Sequence, residues 1–182
     1  VVHTNMALNF QSALAAHQSN AKSVWHFNDT LSPTPTKQIA GFLGPRLADE
    51  IVVASDAVHE YFFDPDISSQ TIYAPVNTEE FSRGQIDIDH QSLREELGIP
   101  KSVPVVGAIG NINPIKGHEY LLRAIAELNQ TFGEVAVPIV GEKLDSRMEY
   151  FERLRSLRSD LGLEDQVRFV GFRSDIPELL SL

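Results

Sequence analysis

The sequence predicts an α/β protein made of two partial, Rossmann-like parallel-sheet domains, and three observations predict it. Short apolar runs of strand length alternate with helical stripes along the whole chain, the β-α-β-α order of a parallel sheet with right-handed crossovers. The run Val105 to Ile109 is almost continuously apolar, as for a strand buried on both faces. A polar, acidic stretch from Gly84 to His90 interrupts this rhythm and reads as a linker. The expected division is 1–82 for a first domain, 83–102 for a linker and entry helix, and 103–182 for a second domain.

The elements follow in order. Val1 to Thr4 is a strand stub, and a helical pattern runs from about Met6 to Gln18. Lys22 to Phe27 is the next strand. Ser32-Pro33-Thr34-Pro35 is a turn or helix entry, and Gln38, Ile39, Phe42, Leu43 and Leu47 form a stripe with a break expected near Gly44-Pro45. Ile51 to Ala54 is a short buried strand; Ser55 or Asp56 caps the helix through Val58, Tyr61 and Phe62. Thr71 to Ala74 is a strand that leads out of the first domain. Gln91 to Leu97 is a short helix stopped by Gly98 and Pro100. After Val105–Ile109 comes a helix with Leu121, Ile125 and Leu128 on one face. Glu134 to Val140 is a strand. Ser146 and Glu149 have capping-box spacing, and the helix they open carries Tyr150, Leu154, Leu157 and Leu161 before stopping at Gly162. Val167 to Val170 is the last strand, and Ser174 or Asp175 caps a helix with Pro177 in its first turn. Two sheets joined around residues 82 to 90 are expected. A composite sheet, with Ile51–Ala54 beside Val105–Ile109, is the alternative.

The chain begins at Val1 inside a strand pattern and stops at Leu182 soon after a helix starts, so it reads as an internal fragment truncated at both ends. Self-association is expected of a chain whose apolar strand edges lack partners. Twenty-five acidic against fifteen basic residues give a net charge of -10, which argues against nucleic acid or an anionic membrane as the main partner. The absence of cysteine excludes a disulfide framework or thiolate metal site and fits a reducing, cytoplasmic setting. No apolar run approaches the ~18 residues of a membrane span. Asp64-Pro65-Asp66 and Asp87-Ile88-Asp89 have the DxD look of metal motifs but read better as exposed loop acids, and no metal is assigned.

The chemistry concentrates in Gly110-Asn111-Ile112-Asn113-Pro114-Ile115-Lys116-Gly117, between the Val105–Ile109 strand and the following helix. Strand, glycine turn, helix is the half-unit with which open α/β sheets hold a phosphate, because helix N-terminal N–H groups are unpaired and the dipole is positive there. Lys116 stands where a cation reaches the same anion; a solvated lysine on an ordinary turn is the competing reading. The stretch is not a P-loop, since Lys116 precedes Gly117 and His118 stands where a hydroxyl would bind magnesium. In the first half, Trp25-His26-Phe27-Asn28-Asp29 puts an imidazole, an amide and a carboxylate at a strand's carboxyl end, where such sheets bind ligands. A histidine packed beside Trp25 is the alternative there, and His3 is a further strand-end imidazole.

These residues resemble a known family. GNINPIKG after an apolar strand, with Gly110, Lys116 and Gly117 in place, looks like the donor-diphosphate loop of the family 4, or group 1, retaining glycosyltransferases of the GT-B fold. IYAPVNTEEF (Ile72 to Phe81) is similar to their interdomain segment. VPIVGEK (Val137 to Lys143) and VRFVGFRSDIPELL (Val167 to Leu180) are similar to their next two strands and turns. Asn111 stands where the family usually has Arg, and Ala74-Pro75-Val76-Asn77 lacks the family's turn glycine. The resemblance implies transfer of a sugar from a nucleotide-diphosphate sugar to an acceptor hydroxyl, without a required metal or other cofactor. The acceptor is a glycan, a lipid-linked molecule or a small molecule. Gly110, Asn111, Lys116 and Gly117 would bind the donor, with Gly141, Glu142, Phe172 and Arg173 near the nucleoside. Lys116 and His26 would be catalytic, although a second register puts Asn28 at the position of His26. The family's paired glutamates are expected beyond residue 182, so the chain alone is not expected to turn over. The whole protein is expected to be cytoplasmic or peripheral to a membrane. A non-catalytic nucleotide-binding or regulatory module, or another GT-B enzyme such as a nucleotide-sugar epimerase, is the alternative.

Overall fold

The computed structural model describes residues 1–82, 86 and 88–182. Two compact units emerge, Val1–Val76 and Asn77–Leu182. Gly84, Gln85 and Asp87, part of the expected linker and of the second DxD pattern, lie outside the described residues.

The first unit holds strands β1 (Val2–Asn5), β2 (Ser23–Phe27), β3 (Glu50–Val53) and β4 (Gln70–Thr71), in the sheet order β1-β2-β3-β4 and all parallel. Helices α1 (Phe10–Gln18), α2 (Thr34–Leu47) and α3 (Asp56–Phe62) join them. When parallel neighbours follow one another in sequence, right-handed crossovers put all the connecting helices on one face. The period-2 alternation of β2 shows the result: Trp25 and Phe27 are 0% exposed in the core with Val53, Val58 and Phe62, while Val24 and His26 point to the opposite face. Ser55 caps α3 by accepting from the Val58 N–H, as expected.

The second unit holds α4 (His90–Glu96), β5 (Ala108–Ile109), α5 (His118–Leu128), β6 (Val137–Val140), α6 (Met148–Asp160), β7 (Val167–Gly171) and α7 (Ile176–Ser181), with the parallel order β5-β6-β7. Here both faces are covered. Val137 and Ile139 pack with Leu122, Ile125 and Leu154 of α5 and α6. Ala136 and Val140 pack with Leu93 of α4, Leu97 just past its end, and Leu179 of α7. All four residues of β6 are therefore buried. The two sheets are separate, and β3 pairs with β2 and β4 but not with β5.

Several expected elements are corrected. α1 starts at Phe10 rather than near Met6, because Met6 turns the chain at φ 70°. α2 runs unbroken through Gly44-Pro45: a proline in the last turn removes one ladder bond, and the Ala48 N–H to Gly44 carbonyl bond closes the end. β4 shrinks to Gln70–Thr71 because its partner β3 ends at Val53, which leaves Ile72 and Tyr73 exposed. The expected Val105–Ile109 strand is split: Val105 bridges Ala136, pairing lapses at Gly107 and resumes at Ala108–Ile109. The Ser146–Glu149 capping box does not form, since a 3-10 turn over Asp145–Arg147 delays α6 to Met148 and no side chain caps it. Asp175 sits before α7 without capping it, because its carboxylate is held by Arg173.

Candidate functional site

The three strands of the second unit end in glycines whose backbones lock together. Gly110 N–H donates to the Val140 carbonyl at 2.8 Å, and Gly141 N–H donates to the Gly171 carbonyl at 2.9 Å. Ile112 N–H donates to the Glu142 carbonyl at 2.9 Å, so the turns after β5 and β6 run side by side. Gly141 is required by this approach: a Cβ there would stand 2.0 Å from the Gly110 carbonyl oxygen. The edge so formed is the carboxyl end of a parallel sheet, where open α/β folds place ligands.

Over this edge lies the Lys116 stem. A Cβ on Gly110 would meet Lys116 Cδ and Cε at 3.4 Å, about van der Waals contact, so the stem runs alongside Gly110. Lys116 ends a 3-10 turn, Pro114–Lys116, whose start is fixed by Asn113 accepting from the Ile115 N–H at 3.2 Å. Gly117, at φ 67°, then swings the chain into α5, a left-handed step that glycine takes without strain. Among the described residues no side chain caps α5, whose Tyr120 N–H turns back to the Gly117 carbonyl at 2.9 Å, and the positive end of its dipole lies next to Lys116 in the chain. Lys116 is exposed, and the ion pairs formed among the described residues do not include it. Its charge is therefore available to an anion.

The structure thus brings together Gly110, Asn111, Lys116, Gly117, Gly141 and Glu142 around adjoining turns. Phe172, just past Gly171, is 76% exposed. Arg173 is already engaged: Nε donates to Asp175 Oδ1 at 2.8 Å, and its other nitrogens pair with Asp175 and Glu96. Those acids push the guanidinium pKa up, and Arg173 holds the Asp175 carboxyl below its usual range. It braces the loop after β7 to α4.

Sequence reasoning missed two residues of the loop's framework. Asn113 carries a legible signal, since Asn-Pro favours turn initiation. His118 carries none: a polar residue opening a helix reads as solvated, yet it is 3% exposed and its Nε2 lies 3.3 Å from the Asn111 carbonyl oxygen.

His26 belongs to the first unit. Its half-buried ring stacks on His3 with centroids 5.8 Å apart, and its buried Nε2 has no hydrogen-bond partner among the described residues. Asn28 is exposed and donates to the Asn5 side chain at 2.7 Å. Burial, and secondarily the neighbouring His3, holds the His26 pKa below 6.5. A histidine whose folded pKa is depressed contributes stability that is full above 6.5 and is lost as pH falls through that value. Thermal melts from pH 7 to pH 5 are therefore expected to show a smaller loss of midpoint in His26→Phe than in the wild type. Equal losses would contradict this. Among the described residues no group of three or more His, Cys, Asp or Glu side chains is placed to hold a metal, and no helix is long and apolar enough to cross a membrane.

Comparisons with known proteins place this geometry. Residues 89–182 match the family described as "Glycosyl transferases group 1". A D-inositol 3-phosphate glycosyltransferase of a Nocardioides species is 32% identical over 149 residues, covering 75% of this chain and 32% of that protein. The enzyme of the same name from Stackebrandtia nassauensis is 30% identical over 198 residues, covering 96% of this chain and 43% of that protein. The chain thus spans less than half the length of these relatives. The crystal structure of Anabaena Alr3699/HepE in complex with UDP and glucose superposes with a TM-score of 0.82 at 26% identity, covering 98% of this chain and 49% of that one. Paired parallel sheets, a glycine-locked edge with an open lysine, and a family match over the whole of that edge have one reading: the chain belongs to the group 1 glycosyltransferases of the GT-B fold.

Proposed function

We propose that this chain supplies the diphosphate-binding loop of an enzyme that transfers a sugar from a nucleotide-diphosphate sugar to an acceptor hydroxyl, with retention. The observation that carries the reading is Lys116, an ammonium with no ion-pair partner among the described residues, whose stem runs alongside Gly110 next to the N-terminus of α5. As the glycosidic bond breaks, negative charge grows on the leaving diphosphate. A lysine and helix N–H groups fixed there stabilise the transition state more than the ground state. Gly110, Asn111 and Gly117 border the diphosphate. Gly141 and Glu142 lie toward the nucleoside, Phe172 offers it an exposed ring, and Arg173 steadies that loop through Asp175 and Glu96. The diphosphate charge is met without a divalent metal. On the acceptor side His26, whose buried Nε2 has no hydrogen-bond partner among the described residues, is the proposed catalytic imidazole. The enzyme works in the cytoplasm. Because the Anabaena neighbour was crystallised with UDP and glucose, UDP-glucose is the first donor to test.

The longest natural polypeptide containing this chain should be incubated with UDP-sugars and a panel of hydroxyl acceptors. Expected are UDP release dependent on acceptor and a product anomer matching the donor's by proton NMR. An inverted anomer would contradict retention. Nucleotide binding without transfer would support a non-catalytic module, a reading favoured by the uncharged Asn111, and donor epimerisation without acceptor would support an epimerase.

A further inference from the structure

We infer that His118 is a positioning residue of the diphosphate loop, acting by holding the Asn111 carbonyl away from the bound anion. The inference rests on the diphosphate reading of the loop proposed above. His118 is 3% exposed, in the first turn of α5, and its Nε2 lies 3.3 Å from the Asn111 carbonyl oxygen. A carbonyl oxygen only accepts, so the ring proton is on Nε2 and the imidazole is the donor.

The placement matters because of what else fixes Asn111. On its N-terminal side Gly110 N–H is bonded to Val140, and on its C-terminal side Ile112 N–H is bonded to Glu142. The Asn111 carbonyl is the backbone group between those anchors that a side chain holds, and that side chain is buried inside the protein. A carbonyl dipole turned outward beside Lys116 would oppose an incoming diphosphate. Turned inward onto His118, it leaves the outer surface of the turn to the Lys116 ammonium and the positive end of the α5 dipole. The same bond ties the turn that carries Gly110 to the helix that follows Lys116, so the two halves of the anion site hold their spacing.

The test separates positioning from mere packing. Gln presents an amide nitrogen at about the reach of the imidazole Nε2, whereas Leu fills the volume with no donor. UDP binding to the chain is measured by titration calorimetry at low ionic strength, alongside thermal midpoints. His118→Leu is expected to weaken UDP binding about fivefold, the loss of one neutral hydrogen bond, and His118→Gln to restore affinity to within about twofold. Equal weakening in the two variants, or an unchanged affinity in His118→Leu, would overturn the inference. If His118→Leu does not fold, the wild type decides: a long-range proton–nitrogen spectrum should show the proton on Nε2 and a shift of that signal on adding UDP. A proton on Nδ1, or a signal indifferent to UDP, would overturn it. Lys116→Met run in parallel separates the two readings. If Lys116→Met weakens binding while the His118 pair does not differ, the His118 inference alone falls; if Lys116→Met binds as the wild type does, the diphosphate reading falls first.

Discussion

Gly141→Ala is expected to destabilise the second unit by about 3 kcal/mol or more, the range reserved for strain at a backbone contact that cannot relax. The added Cβ would stand 2.0 Å from the Gly110 carbonyl oxygen and 3.0 Å from the Asn111 nitrogen, both backbone atoms. The turns cannot simply separate, because Gly110 to Val140, Ile112 to Glu142 and Gly141 to Gly171 are hydrogen-bonded in register. Opening the gap breaks one or more of these bonds and unseats Lys116, whose stem packs on Gly110. Gly107→Ala is the control, since a Cβ at Gly107 meets nothing within 4 Å. Urea unfolding followed by far-UV circular dichroism, with amide exchange across Val137–Val140, reads both variants. Gly141→Ala should show a markedly lower midpoint and lost protection in β6, and Gly107→Ala little change. A Gly141→Ala midpoint equal to the wild type would show that the two turns are not in this contact.

The element order and the division into two sheets were legible because burial writes itself as period. Runs such as VPIV in β6 are apolar throughout where helices cover both faces, and Trp25 and Phe27 alternate with Val24 and His26 where helices cover one. Strand length was not legible, because it depends on the partner. β4 stops where β3 stops, and the Val105–Ile109 segment breaks at Gly107, although both segments have strand composition. Local rules misled at Pro45 and at Ser146: the proline sits too near the end of α2 to break it, and a 3-10 turn displaces the capping box. The turn from Gly110 to Gly117 was legible from Gly110, Lys116 and Gly117, since spacing along one turn is a local property, and its proposed diphosphate role comes from the family resemblance. The resemblance placed Arg173 near the nucleoside, and its pairing with Glu96, 77 residues away, was not legible. His118 was hidden for the converse reason, because only the fold reveals that its ring is turned inward.

Lys116→Met is expected to weaken nucleoside diphosphate binding about tenfold, the order of a hydrogen-bonded charge at an exposed site. Methionine keeps the apolar stem that runs alongside Gly110 and removes only the ammonium, so the loss reports charge rather than packing. With Asn111 uncharged, Lys116 is the cation on this turn, and raising salt should erase most of the difference between wild type and variant. The direct measurement is a proton–nitrogen correlation spectrum of the labelled chain titrated with UDP at low ionic strength, for wild type and Lys116→Met. Shifts concentrated at Gly110, Asn111, Gly117, His118, Gly141 and Glu142, with the midpoint raised about tenfold in the variant, are the predicted result. Shifts centred elsewhere, such as on Arg123 and Arg153 in the groove between α5 and α6, or the same midpoint in both proteins, would contradict it.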